Sequence, residues 1–216
     1  MSTIESVTLE VADPTAAERF YKAAFGLGSQ VRLHQSDGPT SGFRGFTLSL
    51  KVSQPTDVDA LLDAALGAGA TPLKPAARSF WGYGGVVQAP DGAIWKVATS
   101  AKKDTGPATG DIDDIVLLLG VADVRASKRF YVDRGFDVAK SFGGKFVEFA
   151  TPSSPVKFGL YGHRALAKDA GVSPGGTGSH RLAIDSEAGP FTDPDGFAWE
   201  AATAEVQELA LTKGAR

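Results

Sequence analysis

The chain has 216 residues, of which 43% are hydrophobic and 22% are charged, a balance that is typical of a globular protein and excludes global disorder. Its formal net charge of −3 and its pI near 5.6 provide no basic surface, so nucleic acid is not expected as a partner. The absence of cysteine excludes disulfides, thiolate nucleophiles and sulfur-ligated metals.

Neither a membrane span nor a signal peptide is expected. No apolar run approaches the roughly 20 residues that cross a bilayer. Residues 1–5 lead directly into a strand-like segment, without the basic and apolar regions of a signal peptide. We therefore expect a cytoplasmic protein.

The N-terminal part of the chain predicts an alternation of strands and helices. Residues 7–11 alternate apolar and polar side chains, the period of a half-buried strand. Asp13 stands ahead of Pro14 and can cap a following helix. A further strand is predicted at 46–52 and an amphipathic helix at 57–66.

The C-terminal part has a different middle. Residues 145–149 and 156–161 alternate like the two arms of a hairpin, and a short helix is predicted at 164–170. Only residues 181–184 then precede the final turn, which leaves no room for a long helix.

Two blocks of sequence occur twice, in the same order. VTLEVAD followed by AERFY, from Val7, returns as LLLGVAD followed by SKRFY from Leu117, an offset of 110 residues. APDGAIWKVAT, from Ala89, returns as DPDGFAWEAAT from Asp193, an offset of 104. Two matched blocks at nearly the same offset indicate a duplicated domain.

The duplication and the composition together predict the domain boundaries. We expect a first domain at 1–100, a linker at 101–113, a second domain at 114–204 and a C-terminal tail at 205–216. The linker is polar and rich in Gly and Thr, and the tail carries apolar residues that could form a short helix.

A strand ending in VAD, a helix bearing FY, then PDG and a last strand: this order resembles the vicinal-oxygen-chelate superfamily. It is most similar to the actinobacterial-style glyoxalase-like and bleomycin-resistance-like members, whose domains end in a DPDG…WE strand. The resemblance covers residues 7–99 and 115–203. It implies an α+β fold of tandem glyoxalase-like domains, built from βαβββ modules whose curved mixed sheets form cup-shaped cavities. On that plan the first domain is short at 28–42 and the second at 185–193.

The resemblance also implies where a metal would bind. Metal-using members take His, Glu or Gln ligands from three or four inward-facing positions. In the first repeat these positions hold Ser6, a residue near Thr47, and Lys96. None of these is a good ligand for a divalent ion, and the ammonium group would repel it.

The second repeat keeps part of the set. The corresponding positions hold Val116, a residue near His180, and Glu200. Val116 is apolar and cannot bind a metal, so only the other two residues could hold one. Two protein ligands rarely hold a catalytic metal, so no cofactor is expected and a divalent metal stays the alternative. Glu200 is the candidate general base or hydrogen-bond anchor, unless it is a relic at a solvated strand end. His180 is the candidate second polar residue, unless it only marks a junction between loop and strand.

Candidate ligand contacts come from aromatic residues and one cation. In the superfamily the stretch that holds Phe80, Trp81 and Tyr83 often lines the mouth of the cavity, although such a cluster could equally seal a domain interface. Lys96 would attract a carboxylate or phenolate, or would pair with Glu200 or another acid. Tyr161, on the predicted hairpin, completes the set.

The tryptophans are expected to be structural. Trp95 and Trp199 stand next to Lys96 and Glu200 on their strands, so they face the opposite side of the sheet.

Three functions follow from these residues. The favoured one is metal-independent binding of a small, aromatic molecule in a cup-shaped cavity. The alternative is a metal-dependent lyase, isomerase or dioxygenase of the glyoxalase type that uses the second domain, and a third is an interaction module with closed cavities. Because one chain carries both halves of the plan, a monomeric pseudo-dimer satisfies it. A homodimer is the alternative, because each half is shortened.

Overall fold

The fold is taken from a computed structural model, which describes residues 2–202. The tail predicted at 205–216 lies outside the described residues. Within them the chain forms four helices and fifteen strands. In chain order these are β1 (Ile4–Val11), α1 (Pro14–Phe25), β2 (Val31–Gln35), β3 (Thr40–Gly42), β4 (Phe46–Lys51), α2 (Pro55–Gly67), β5 (Thr71–Ser79), β6 (Gly82–Gln88), β7 (Ile94–Thr99), β8 (Asp114–Val121), α3 (Val124–Val132), β9 (Val138–Ser141), β10 (Phe146–Phe149), β11 (Val156–Gly162), α4 (His163–Ala170), β12 (Gly176–Gly178), β13 (Leu182–Ser186), β14 (Phe191–Thr192) and β15 (Ala198–Ala201).

Two mixed sheets dominate, and each takes strands from both repeats. The larger has eight strands in the order β5-β6-β7-β4-β8-β11-β10-β9. The smaller has five strands in the order β14-β15-β13-β1-β2. The repeats meet in the larger sheet at the antiparallel pair β4–β8 and in the smaller at the antiparallel pair β1–β13. A two-stranded sheet of β3 and β12 makes a third contact between the repeats.

The larger sheet holds the two longer modules. In each, the last strand returns parallel to the first: β7 beside β4, and β11 beside β8. In the smaller sheet the same parallel return is made with fewer elements. Strand β2 follows α1 with no strand between them, and β15 follows β13 with only β14 between them, in stretches that the structure describes in full. The eight-stranded sheet therefore holds the two fuller modules, and one of its faces carries the groove described below.

The first repeat builds a hydrogen-bonded triad around the buried Tyr21. The Tyr21 hydroxyl donates to Asp91 Oδ2 at 2.6 Å, and the Trp95 indole donates to Tyr21 Oη at 3.4 Å. Burial and the neighbouring Asp91 carboxylate raise the pKa of Tyr21 well above its usual value. The FY and PDG motifs are thus joined through Trp95, which is fully buried.

The second repeat builds the same triad. The Tyr131 hydroxyl donates to Asp193 Oδ2 at 2.6 Å, and the Trp199 indole donates to Tyr131 Oη at 3.2 Å. Burial raises the pKa of Asp193 above its usual range. The recurrence of the two sequence blocks therefore has a structural cause, which is the docking of each first helix on the last strand of its repeat.

Helix α4 lies on the concave side of the larger sheet. Its Leu166 and Ala167 pack in a separate apolar cluster with Ile94 of β7 and Val86 of β6. The alternation along β7 places Ile94 on the face opposite the buried Trp95. Helix α4 therefore fills one end of the cup and leaves the other end open.

The segment 101–113 is held against α2. Gln54 Oε1 accepts the backbone N–H of Thr105 at 2.8 Å, and Asp57 Oδ1 accepts that of Thr109 at 2.7 Å. The segment contains neither helix nor strand. It is thus a fixed connection, while the boundaries of the two domains stay a prediction because the repeats share their sheets.

Candidate functional site

A groove of about 630 Å³ opens on the concave face of the eight-stranded sheet, where strands of both repeats lie side by side. Its floor is formed by every second residue of the central strands, and the intervening residues, such as Leu48 and Leu117, are buried on the other face. The lining residues that matter below are Ser49, Lys51, Lys96, Asp114, Val116, Leu118, Lys140, Phe146, Glu148, Phe149, Thr151 and Lys157.

One row of residues crosses the middle of the groove. Ser49 on β4 is the register partner of both Lys96 on β7 and Val116 on β8, and Val116 pairs in turn with Lys157 on β11. Two of the four, Lys96 and Val116, are positions at which the sequence resemblance implies metal ligands. The residue in the row on β4 is Ser49, two positions after the expected Thr47, which pairs with Leu118 instead.

This row does not fit a divalent metal. It offers two ammonium groups, one hydroxyl and one isopropyl group, and none of these is a usual ligand for a divalent ion. Among residues 2–202 no group of three or more His, Asp or Glu side chains is placed to hold a metal. The groove therefore supports chemistry by its own side chains rather than through a metal bound in the row.

Three of the four lysines of the groove are paired with acids. The pairs are Lys51–Asp114 at 2.7 Å, Lys96–Asp169 at 2.8 Å and Lys140–Glu148 at 3.3 Å. Lys157 instead donates to the carbonyl oxygens of Thr151 at 2.8 Å, Pro152 at 3.2 Å and Ser154 at 3.2 Å. Even with Asp169 counted, lysines outnumber acids, so the groove is positive although the chain is net negative.

Two hydroxyls of the groove lack partners in the described part of the chain, and of the two only that of Thr151 is a fully buried atom. The Ser49 side chain belongs to a residue that is 8% exposed, and it makes no hydrogen bond within the described part of the chain. Thr151 Oγ1 is buried and also has no partner there. The Ser49 hydroxyl is therefore accessible to a ligand in the groove, whereas the buried Thr151 Oγ1 is an exception to the rule that buried polar groups are hydrogen-bonded.

The predicted aromatic contacts lie elsewhere. Phe80 and Trp81 form the tip of the β5–β6 hairpin and are 85% and 81% exposed. Tyr83 donates to Asp59 Oδ1 on α2 at 2.7 Å, on the face of the sheet opposite the groove. None of the three lines the groove.

The structure brings two other predicted residues together at the groove. Lys96 lies in its central row, and its acidic partner is Asp169 rather than Glu200. Tyr161 borders the groove, because its ring lies 5.8 Å from that of Phe146, which is part of the lining.

Glu200 lies on the smaller sheet and is exposed. Its register partner is Asp185, which in turn pairs with Ser6. Asp185 is buried and accepts hydrogen bonds from Ser6 Oγ at 2.6 Å and Thr8 Oγ1 at 3.2 Å. In the smaller sheet, Ser6, Asp185 and Glu200 therefore lie side by side on neighbouring strands. The sequence interpretation expected a residue near His180 at the middle position and missed Asp185.

His180 lies just ahead of β13, and both of its ring nitrogens contact backbone carbonyl oxygens. Its Nδ1 lies 2.6 Å from the carbonyl oxygen of Arg44 and its Nε2 lies 3.1 Å from that of Asp195. The ring stacks on Phe197 with the centroids 4.0 Å apart. His180 is five residues before Asp185, so the structure does not join it with Glu200 in one site.

Comparison with solved structures shows the class of fold. Glyoxalase I from Zea mays superposes with a TM-score of 0.60 at 15% sequence identity, covering 92% of this chain and 91% of that chain. A putative dioxygenase from Bacillus subtilis superposes with a TM-score of 0.52 at 11% identity, covering 85% of this chain and 69% of that chain. Neither protein-family models nor curated protein sequences match the chain.

The chain therefore has the α+β fold of glyoxalase I, which is the fold class that the sequence motifs predict. At these identities the likeness concerns the fold, and the function has to be argued from the groove. No helix within residues 2–202 is long and apolar enough to cross a membrane.

Proposed function

We propose that the chain is a metal-independent glyoxalase-like protein that binds a small organic molecule in the groove of the eight-stranded sheet. The observation that carries the proposal is the central row, in which Lys96 and Val116, two of the positions where the resemblance implies metal ligands, lie with Ser49 and Lys157. Ligand binding there has to use the side chains themselves.

The remaining lining suits an organic ligand. Leu118, Phe146 and Pro152 give the groove an apolar wall, and a few polar groups converge at the central row. A volume of about 630 Å³ is in the range of small-molecule sites, which combine apolar walls with few polar groups. An aromatic body would pack against the Phe146 ring and have its polar end at the row.

The groove is assembled within one chain. Strands β4 and β7 of the first repeat and β8 and β11 of the second all belong to it. A monomer therefore carries a complete binding site, and a homodimer would add a second copy of the same site. A cytoplasmic location, without nucleic acid or membrane partners, remains our expectation from composition.

The metal-dependent enzyme is the competing proposal. It would rely on Glu200 of the smaller sheet, whose neighbour Asp185 already accepts two hydroxyl donors. These two carboxylates are fewer than the three protein ligands that usually set a catalytic metal site.

Metal content and ligand binding test the proposal together. Purified protein that has not been treated with metals or chelators is analysed for Fe, Mn, Ni and Zn, and its melting temperature is measured against a library of small aromatic and aliphatic molecules. We expect far less than one metal per chain and a rise in melting temperature that persists in chelator. Stoichiometric metal, with ligand binding that chelator abolishes, would overturn the proposal.

A groove-filling variant locates the binding. Val116 is half-buried and faces the groove, so Val116→Trp is expected to abolish the ligand-induced rise in melting temperature. The matched control is Trp81→Ala, at the exposed hairpin tip, which should bind as the wild type does. If Val116→Trp folds and binds normally, the groove is not the site.

A further inference from the structure

The geometry points to an organic carboxylate as the ligand of this groove, with Lys96 and Ser49 as the carboxylate-binding pair and Asp169 as an internal competitor. The inference rests on the proposed binding function and names the chemical class that the site selects. It is argued from the donors that the central row leaves unused.

Lys96 and Ser49 form a ready pair of donors. They are register partners on neighbouring parallel strands, so their Cα atoms are about 4.8 Å apart, and both side chains face the groove. The Lys96 ammonium has three donors, and within the described residues its one acceptor is Asp169 Oδ2. The Ser49 hydroxyl, also within them, has no partner. A carboxylate, with two acceptor oxygens, can bind both groups at once.

Lys157 adds charge without adding donors. Its three N–H groups are taken by the carbonyl oxygens of Thr151, Pro152 and Ser154, so it has no donor left for a ligand. No acid pairs with it in the described part of the chain, and its positive charge is not cancelled locally. Lys157 lies two strands from Ser49 in the same row, about 10 Å away, which is close to the screening length at about 0.1 M salt, so its charge adds only a weak attraction at physiological salt.

Asp169 occupies the position that a ligand carboxylate would take on Lys96. The ion pair is 2.8 Å long, and the two side chains are 34% and 42% exposed, so the bond is solvent-screened and can exchange. Lys74 holds the end of α4 separately, by donating to the carbonyl oxygens of Lys168 and Asp169. The Asp169 carboxylate can therefore leave Lys96 while the helix stays in place.

A pair of matched probes tests the charge requirement. Binding of 2-naphthoate and of the neutral 2-naphthamide is measured by calorimetry at pH 7. We expect the wild type to bind the acid at least about tenfold more tightly than the amide, because hydrogen bonds to a charged group are the stronger ones. Lys96→Met should remove this preference, and Ser49→Ala should reduce it.

Asp169→Asn should increase the affinity for the acid, an effect that a misfolded protein would not show. It removes the competitor, so affinity for 2-naphthoate should rise about two- to fivefold, with no change for 2-naphthamide. Lys22→Met, which removes an exposed lysine in the last turn of α1, outside the groove, is the control for total charge and should leave the preference in place.

The outcomes separate this inference from the function on which it rests. Equal affinity for acid and amide in the wild type, or a preference that survives Lys96→Met, overturns the carboxylate assignment and leaves the binding function standing. Failure of wild type and Asp169→Asn to bind either probe also overturns it, while the binding function is decided independently by the library and the metal content.

Discussion

Lys96 Nζ on β7 lies 2.8 Å from Asp169 Oδ2 on α4, an ion pair that links the first repeat to the second across the concave face of the larger sheet. Both side chains are about one third or more exposed, so solvent weakens the pair. Its position beside the groove, rather than its strength, is what gives it a role.

The stability of Asp169→Asn should therefore be close to that of the wild type. We expect the free energy of unfolding to fall by less than about 1 kcal/mol, as for other exposed ion pairs. Urea unfolding at pH 7, with and without added salt, measures it. A loss of several kcal/mol would mean that the pair holds α4 on the sheet and does not act as an exchangeable contact.

The two tryptophans of the first repeat should differ sharply. Trp81→Ala at the hairpin tip should change the free energy of unfolding by no more than about 0.5 kcal/mol, because the residue is 81% exposed. Trp95→Ala removes a fully buried ring and should cost about 3–5 kcal/mol, and Trp95→Phe should cost less. Chemical denaturation of the three variants checks this, and a large loss for Trp81→Ala would contradict the exposure of the tip.

Removal of the triad hydroxyls should have unequal effects in the two repeats. Tyr131→Phe leaves the buried Asp193 carboxylate without its hydroxyl donor and should cost about 1–3 kcal/mol. Tyr21→Phe leaves Asp91, which is only half-buried, and should cost less. Thermal unfolding of both single variants measures the order, and the reverse order would show that burial of the acid does not set the cost.

Asp57 should make the stability depend on pH in the acid range. Desolvation acts to raise its pKa, but hydrogen bonds from the backbone N–H groups of Thr109 and Gly110 hold the pKa below its usual value. A lowered folded pKa means that the contribution is present above the unfolded pKa of about 3.9 and is lost as pH falls through the folded pKa. Asp57→Asn should thus be less stable than the wild type at pH 7, and the difference should shrink below about pH 4.

Urea unfolding across this pH range tests the role of Asp57. The matched control is Asp63→Asn on the exposed side of the same helix, which should follow the wild type at every pH. A difference between wild type and Asp57→Asn that stays constant as the pH falls would contradict the assignment.

The features that the sequence predicted are those that depend on neighbours along the chain. The alternation in 7–11 gave β1, and Asp13 caps α1 by accepting the N–H of Ala16 at 2.9 Å. The adjacency of Trp95 to Lys96 placed the ring in the core and the ammonium on the other face. Each inference uses a period of two or a cap within three residues, and such short-range geometry is fixed by the backbone itself.

The candidate site could be predicted only in part. Lys96 was identified through its repeat position. On β4 the sequence pointed to Thr47, whereas the residue beside Lys96 is Ser49, two positions later. Both residues are polar and alternate with buried leucines on the same strand, so the sequence does not distinguish them. The alternation along a strand identifies which side chains share a face of the sheet, but it does not identify which residues of neighbouring strands lie side by side. Phe80 and Trp81 have the composition of a binding surface, and only the direction of the hairpin determines that they are exposed.

By itself, then, the sequence determined the duplication, the α+β class and which side chains share a face of each strand. Only the tertiary structure decided that β4 pairs with β8 and β1 with β13, so that Ser49 of one repeat lies beside Val116 of the other. The pairing of strands far apart in the chain is settled by how all the apolar faces are buried together, and a local period carries no information about it. The groove, with Lys96 and Asp169 from different repeats, exists because β4 pairs with β8.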